Sequence, residues 1–297
     1  MRFDHYIAMH PRSAIDAGDH LGEGPHWDDR AGELLWVDIT RGRIHAWTPG
    51  GHVRTEVLGG EVSAVIPRAS ASGHVVAADH RLMLRDGEGE GERTLAIVEQ
   101  HLSDNRFNDC KCDPQGRLWA GTMSKTRAPG TAALYRLVPG GEIEPVIDGT
   151  TISNGLAWSP SGDSMYFVDS TTQRIDAFDF DARTGDVSDR RPLVAIEPDD
   201  GLPDGMTVDA EGGIWVCLFG GAAIRRYTPE GKLDTAIPLP TTNPTSPVFA
   251  GPDLRTLYIT TARHRLTPDQ LAAEPLAGAV LTLEPGVQGL PGNRFAG

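Results

Sequence analysis

Six residues bearing a side-chain oxygen recur at one position of a repeating frame: Glu23, Glu61, Asn108, Asn154, Asp204 and Thr245. Each stands four residues before an apolar or aromatic anchor: Trp27, Val65, Cys112, Trp158, Val208 and Phe249. Glu23 and Asp204 bring carboxylates, and Asn108 and Asn154 bring neutral amide oxygens. Hard oxygen donors of this kind suit Ca²⁺, Mg²⁺ or Mn²⁺, with Zn²⁺ admitted through its tolerance of carboxylates. Two carboxylates balance one divalent cation, which lowers the cost of burying them. Protein ligands confined to one side of the ion leave room for water and substrate. Such an ion would polarise a carbonyl oxygen and stabilise the oxyanion formed when water attacks. Asp204 or Glu23 would lie close enough to that water to act as general base. The chain has no G-x-S-x-G nucleophile elbow, and its thiols have no placed partner, so covalent catalysis is the weaker reading.

The frame itself predicts the fold. It reads "EGPHWDDRAGELLWVD", "NDCKCDPQGRLWAGTM", "NGLAWSPSGDSMYFVDS", "DGMTVDAEGGIWVCLF" and "TSPVFAGPDLRTLYIT", with a weaker copy in "EVSAVIPRASASGHVVAAD". Asp, Pro, Ser and Gly fill the turns, and strand-forming residues follow them. Successive anchors lie 38, 47, 46, 50 and 41 residues apart, the period of a β-propeller blade. The expectation is an all-β, six-bladed β-propeller, one domain over residues 1–297, with a metal site in its central channel. In that architecture a frame position repeated in every innermost strand forms a ring around the axis. One helix is expected at 267–274, with Thr267 as N-cap and Pro275 as stop. The N-terminal "DHYIAMH" is expected to add a strand to the last blade and close the ring.

Composition narrows the partners. Acidic residues outnumber basic ones by 41 to 27, for a net charge of −14, and no basic stripe offsets them. Nucleic acid and anionic membranes are therefore not expected as partners. The N-terminus lacks the apolar core of a signal peptide, and no apolar run approaches the roughly 20 residues of a membrane span. A cytoplasmic location is expected. Cys110, Cys112 and Cys217 show no disulfide or zinc spacing; Cys110 and Cys112 would share one face of a strand and pack as small hydrophobes. "DFDARTGDVSDR", from Asp179, imitates the start of an EF-hand loop but places Arg190 where the bidentate Glu belongs, and reads as a hairpin. "DGEGEGE" at 86–92 has no following helix and reads as a solvated turn.

Over nearly its whole length the chain resembles the SMP-30/gluconolactonase/regucalcin-like family. The resemblance rests on "LGEGPHW", "RFNDCKCDPQGRLWAGTM", "SNGLAWSPSGDSMYFVDS", "GLPDGMTVD", "TSPVFAGPDLRTLYITTAR" and "LAAEPLAGAV", in that order. It implies a six-bladed propeller holding one divalent metal on Glu23, Asn154 and Asp204, and a substrate-contacting pair in Arg106 and Asn108. Ca²⁺ is the first expectation for the ion, with Zn²⁺, Mg²⁺, Mn²⁺ and Fe²⁺ open. The implied activity is hydrolysis of a small sugar-acid (aldono) lactone, as in a gluconolactonase. Related propellers hydrolyse organophosphates or aryl esters, and a non-catalytic metal-binding regulatory role has been proposed for animal relatives. Two departures stand out. Cys110 takes a position where many relatives have Gly, and "SKTRAP" follows "AGTM" where some animal members carry a substrate-side Glu. Ser124, Lys125 and Thr126 fall at the expected mouth of the channel without an assigned role.

Overall fold

The computed structural model describes residues 11–70, 72–86 and 91–297. It is an all-β, six-bladed β-propeller, each blade a four-stranded antiparallel sheet. The innermost strands are Gly22–Asp28, Val62–Pro67, Asn105–Cys112, Ser153–Trp158, Leu202–Val208 and Pro244–Ala250, for blades 1 to 6. Each packs against the next, and the sixth packs against the first, so the ring closes. The anchors chosen from the sequence all lie on these strands.

Blades 1 to 5 are meanders of consecutive strands joined by short connections, the shortest the two-residue turn between Ala78 and Arg81. Blade 6 takes its outermost strand from the other end of the chain. Arg12–Ile15 pairs with Val280–Leu283, in the register Arg12 to Thr282 and Ser13 to Leu281. The strand expected at 4–10 lies outside the described residues; the closing strand observed follows directly after it. Most of "DGEGEGE" also lies outside them.

Side chains wedged between blades hold the ring together. Trp119 of blade 3 meets Trp158 of blade 4 edge-on and Phe180 of the same blade at a tilt, with ring centroids 6.0 and 6.2 Å apart. Trp215 of blade 5 meets Phe249 of blade 6 edge-on. The expected helix forms at Pro268–Ala273, where Thr267 and Gln270 make a reciprocal capping box. The EF-hand imitation is a hairpin loop between Arg174–Phe180 and Val187–Ala195, with Asp181 capping the amides of Arg183 and Thr184.

Two repeated aspartate devices set the ends of the strands. Asp113 and Asp209 each close the first hairpin of a blade by accepting two backbone amides and a buried tryptophan N–H. At the opposite end, Asp38 accepts from the amides of His20 and Leu21, and Asp169 from those of Thr151 and Ile152. This second set fixes the loops from which the innermost strands of blades 1 and 4 enter the channel.

Candidate functional site

Every innermost strand loses register beside its frame residue. The breaks fall at Glu23/His26, Val62/Ala64, Phe107/Cys110, Ser153/Leu156, Pro203/Met206 and Pro244/Pro247. A bulge adds a residue to one strand and re-aims its side chains, here toward the axis. In blades 1, 4 and 5 a glycine follows the frame residue (Gly24, Gly155 and Gly205) and permits a close approach to the next blade. A Cβ on Gly155 would sit 2.5 Å from the Asp204 carbonyl oxygen, and one on Gly205 would collide with Ser246.

At four positions the ring is stitched by hydrogen bonds to the backbone of the next blade. Thr245 Oγ1 donates to the Gly22 carbonyl at 2.6 Å, and Ser63 Oγ to the Phe107 carbonyl at 2.6 Å. Asn108 Nδ2 donates to the Ser153 carbonyl at 3.0 Å. Asn154 Nδ2 reaches Ser170 Oγ at 3.0 Å, and that hydroxyl donates to the Pro203 carbonyl at 2.7 Å. Glu23 and Asp204 occupy the remaining two positions. As carboxylates they can only accept, so they cannot make the same stitch.

The stitching corrects the sequence frame in blade 2, where Ser63 and not Glu61 holds the ring position. Glu61 is the counterpart of Leu21 and Ile152, since its amide donates to Asp79 Oδ1 as theirs do to Asp38 and Asp169. The misplacement is two residues, and a two-residue slip leaves the alternation of a strand unchanged, so the pattern could not reveal it. Thr245 is fully buried by its stitch and by Thr260, 2.8 Å away, and does not line the cavity.

Glu23, Arg106, Asn108, Asn154 and Asp204 all line one cavity at the channel mouth. Arg106 is buried at 5 % exposure and donates from Nη1 to Asn108 Oδ1 at 2.9 Å and to its neighbour Phe107's carbonyl at 2.7 Å. Its Nε lies 3.4 Å from Glu61, which also holds Lys125 at 3.2 Å. Asn154 Nδ2 donates to Asp204 Oδ1 at 2.5 Å, leaving Oδ2 free of a side-chain partner. Glu23 Oε2 accepts from the Gly24 amide at 2.9 Å, leaving Oε1 free. Among the described residues, no Lys, Arg or His is within ion-pair distance of Glu23 or Asp204.

The electrostatics follow from that isolation. Burial, and then repulsion from Asp204 and Asp109, holds the Glu23 carboxyl well above the usual carboxylate range. Asp204 is pushed up to about 8, chiefly by burial, with Asp109 adding to it and the Asn154 hydrogen bond opposing. Two acceptor-only groups that cannot comfortably ionise, beside an amide oxygen donor, fit a hard divalent cation and no monovalent side chain of this chain. Among the described residues no group of three or more His, Cys, Asp and Glu side chains is placed to hold a metal, so the candidate set relies on the Asn154 amide oxygen as its third donor. Cys110 and Cys112 pack beside Phe107, Leu118 and Ala120, and burial pushes both thiols well above their ordinary value.

Sequence reasoning missed the cavity's rim. Met123, Arg127, His264 and Arg265 line it, whereas Ser124, Lys125 and Thr126 do not. The signal was in "SKTRAPG" and "TARHR", two basic clusters beside recognised motifs but outside the repeat frame.

A closed six-bladed propeller with a carboxylate–amide cluster at the mouth of its axis is the class of protein defined so far. The sequence profile described as SMP-30/Gluconolactonase/LRE-like region matches residues 21–263, and the chain belongs to that family. It is 37 % identical to regucalcin of Oryctolagus cuniculus over 94 % of this chain and 95 % of the relative. It is 36 % identical to the Bacillus subtilis (strain 168) protein provisionally named sugar lactone lactonase YvrE, over 93 % of this chain and 95 % of that one. The crystal structure of a calcium-binding protein, regucalcin, from Agrobacterium tumefaciens superposes with a TM-score of 0.91 at 30 % identity, covering 97 % of both chains. Among the described residues, no helix is long and apolar enough to cross a membrane.

Proposed function

We propose that this protein is a divalent-metal-dependent hydrolase that opens a sugar-acid lactone to the free acid. The observation that carries the reading is the pairing, in one cavity, of two unneutralised carboxylates with a buried guanidinium–amide pair. Glu23, Asn154 and Asp204 would hold the ion through their free oxygens. When bound, it supplies Lewis-acid polarisation of the ester carbonyl. Arg106 and Asn108, locked to each other, present fixed donors to the ring oxygens and hydroxyls of a sugar. The Asp204 carboxylate takes the proton of the attacking water as the water oxygen adds to the carbonyl carbon. The same group returns that proton to the ring oxygen as the ring C–O bond breaks, giving a hydroxy acid. Glu23 Oε1 is the alternative proton acceptor.

The relatives support this reading from two sides, one named for lactone hydrolysis and one for calcium binding. Oxygen donors favour Ca²⁺, followed by Mg²⁺ and Mn²⁺, although first-row ions bind many such sites more tightly. The test is a panel of aldono-1,4- and 1,5-lactones followed by acid release, with and without chelator, alongside an aryl ester and a phosphotriester. Lactone opening above the spontaneous rate, lost with chelator and restored by a divalent ion, is expected. Turnover of only the aryl ester or phosphotriester, or none at all, overturns the proposal. Stoichiometric iron or zinc in protein purified without chelator would overturn the preference for calcium.

A further inference from the structure

The rim of the cavity carries positive charge that no acidic side chain among the described residues pairs with. Arg127 and Arg265 both line it. Neither forms an ion pair among the described residues, although acidic residues outnumber basic ones in this chain. The contrast with their neighbours is sharp, because Glu61 is within reach of both Arg106 and Lys125. Arg127 Nε is buried without any hydrogen-bond partner, and Arg265 Nε donates only to His264 Nε2, at 3.2 Å. Burial and the charge of Arg265 both push Arg127 down from its ordinary value. His264 is pushed down to about 4 by burial and by Arg265, His20, Arg106 and Arg127, and so stands neutral among cations.

The backbone adds an independent observation. Arg127 and Arg265 are both in the left-handed region, with φ of 57° and 65°. A side chain there is strained, and such residues concentrate where a ligand must be met. Arg127 follows a turn closed by its own amide to the Ser124 carbonyl. Arg265 follows the second strand of blade 6, Thr256–Thr261. Two separate loops thus each spend a strained residue to bring an unpaired guanidinium to one wall.

We infer that the preferred substrate is a sugar lactone bearing a second, anionic group, carboxylate or phosphate, which Arg127 and Arg265 bind at the rim. This rests on the lactonase reading and deepens it. A guanidinium offers paired N–H donors that match either anion. The carboxylates at the cavity floor face the ester carbonyl, and the rim cations face the far end of the sugar, so charge orients the substrate along the channel. A neutral aldonolactone would leave both guanidinium groups unpaired.

The experiment compares glucaro-1,4-lactone, a 6-phosphorylated gluconolactone and neutral gluconolactone, each corrected for spontaneous opening. One anionic lactone is expected to exceed the neutral one at least ~10-fold in kcat/KM, mainly through KM, as charge-assisted contacts imply. The preferred arm identifies the group. Added salt should shrink the advantage. Arg127→Gln and Arg265→Gln, checked for folding by thermal melting, should each cost the anionic lactone several-fold more than the neutral one. Equal or better turnover of gluconolactone, or parallel loss on all lactones in both variants, overturns the inference while leaving the lactonase reading intact. If no lactone is turned over, that reading fails, and calorimetric titration with glucarate decides the inference alone. Binding weakened by Arg127→Gln supports it, and no binding, or binding indifferent to the substitution, overturns it.

Discussion

Asp204 and Asp209 stand five residues apart, near the start and just past the end of the innermost strand of blade 5, both buried. Asp209 is saturated. It accepts from the amides of Glu211 and Gly213 at 3.0 and 2.8 Å, from Trp215 Nε1 at 2.8 Å and from Arg226 Nε at 2.7 Å. Asp204 has one side-chain donor, Asn154, and its carboxyl is raised to about 8 by burial. Water would have satisfied both groups in the unfolded chain. Folding replaces that water completely at Asp209 and incompletely at Asp204, so the first builds structure and the second stores an unmet demand for positive charge. Asp113, with the same donors in blade 3, is of the first sort; Glu23 is of the second.

Substitution should separate the two sorts most widely. Asp204→Asn removes the candidate base and a ligand charge together, and is expected to lower lactone turnover by at least ~10²-fold with the fold preserved. Asp209→Ala should do the reverse. It leaves Arg226 Nε and the Trp215 indole N–H without their acceptor, although Arg226 keeps Glu211 and Asp234, and is expected to cost about 3 kcal/mol or more of stability, with kinetics near normal in whatever fraction remains folded. Initial rates and denaturant melts on both variants read the difference. A stable, inactive Asp209→Ala, or a fully active Asp204→Asn, would erase the distinction.

What the sequence made legible divides along the same line. Blade number, innermost strands and the helix came from period, turn chemistry and a capping box, all local signals that neighbouring residues repeat. The five expected site residues share a cavity because they sit on or beside frame positions. Blade 2 misled, since an even slip preserves strand alternation and only the Ser63 stitch to Phe107 exposes it. Arg127 and Arg265 were hidden because their convergence depends on loop backbone, at left-handed φ, and no periodicity encodes that.

The unmet demand also predicts a pH dependence. Because the folded carboxyls of Glu23 and Asp204 are raised, the metal-free native state holds protons that the unfolded chain has released above about pH 4. Native protein then binds more protons than unfolded, so its stability falls as pH rises toward about 8. His26 and His264, lowered to about 4, act oppositely but only below the ordinary histidine value near 6.5. Between roughly pH 6.5 and 8.5 the carboxyls should therefore dominate, with a slope of at most ~1.4 kcal/mol per pH unit for each proton. Metal-free protein should melt lower at the upper end, Asp204→Asn should flatten the trend, and Ca²⁺ should stabilise more as pH rises. A metal-free melting temperature that climbs across this range would mean the carboxyls are satisfied after all.

The smallest effect tests the other half of the strand that carries Arg106 and Asn108. Within Asn105–Cys112, Arg106 and Asn108 line the cavity while Phe107, Cys110 and Cys112 belong to the apolar core, with the break at Phe107/Cys110 between them. Cys112 is fully buried against Leu118 and the blade 2–3 core, with its thiol pushed well above the ordinary range by burial. It belongs to that apolar cluster and does not line the cavity, so Cys112→Ala only trims a packed sulfur. A loss of ~1 kcal/mol in stability is expected, with turnover and metal stoichiometry unchanged. Melting curves, rates and metal analysis on the one variant suffice. Loss of the ion in Cys112→Ala would place a ligand on the core side of the break and overturn the division between satisfied and unsatisfied groups from which the site was built.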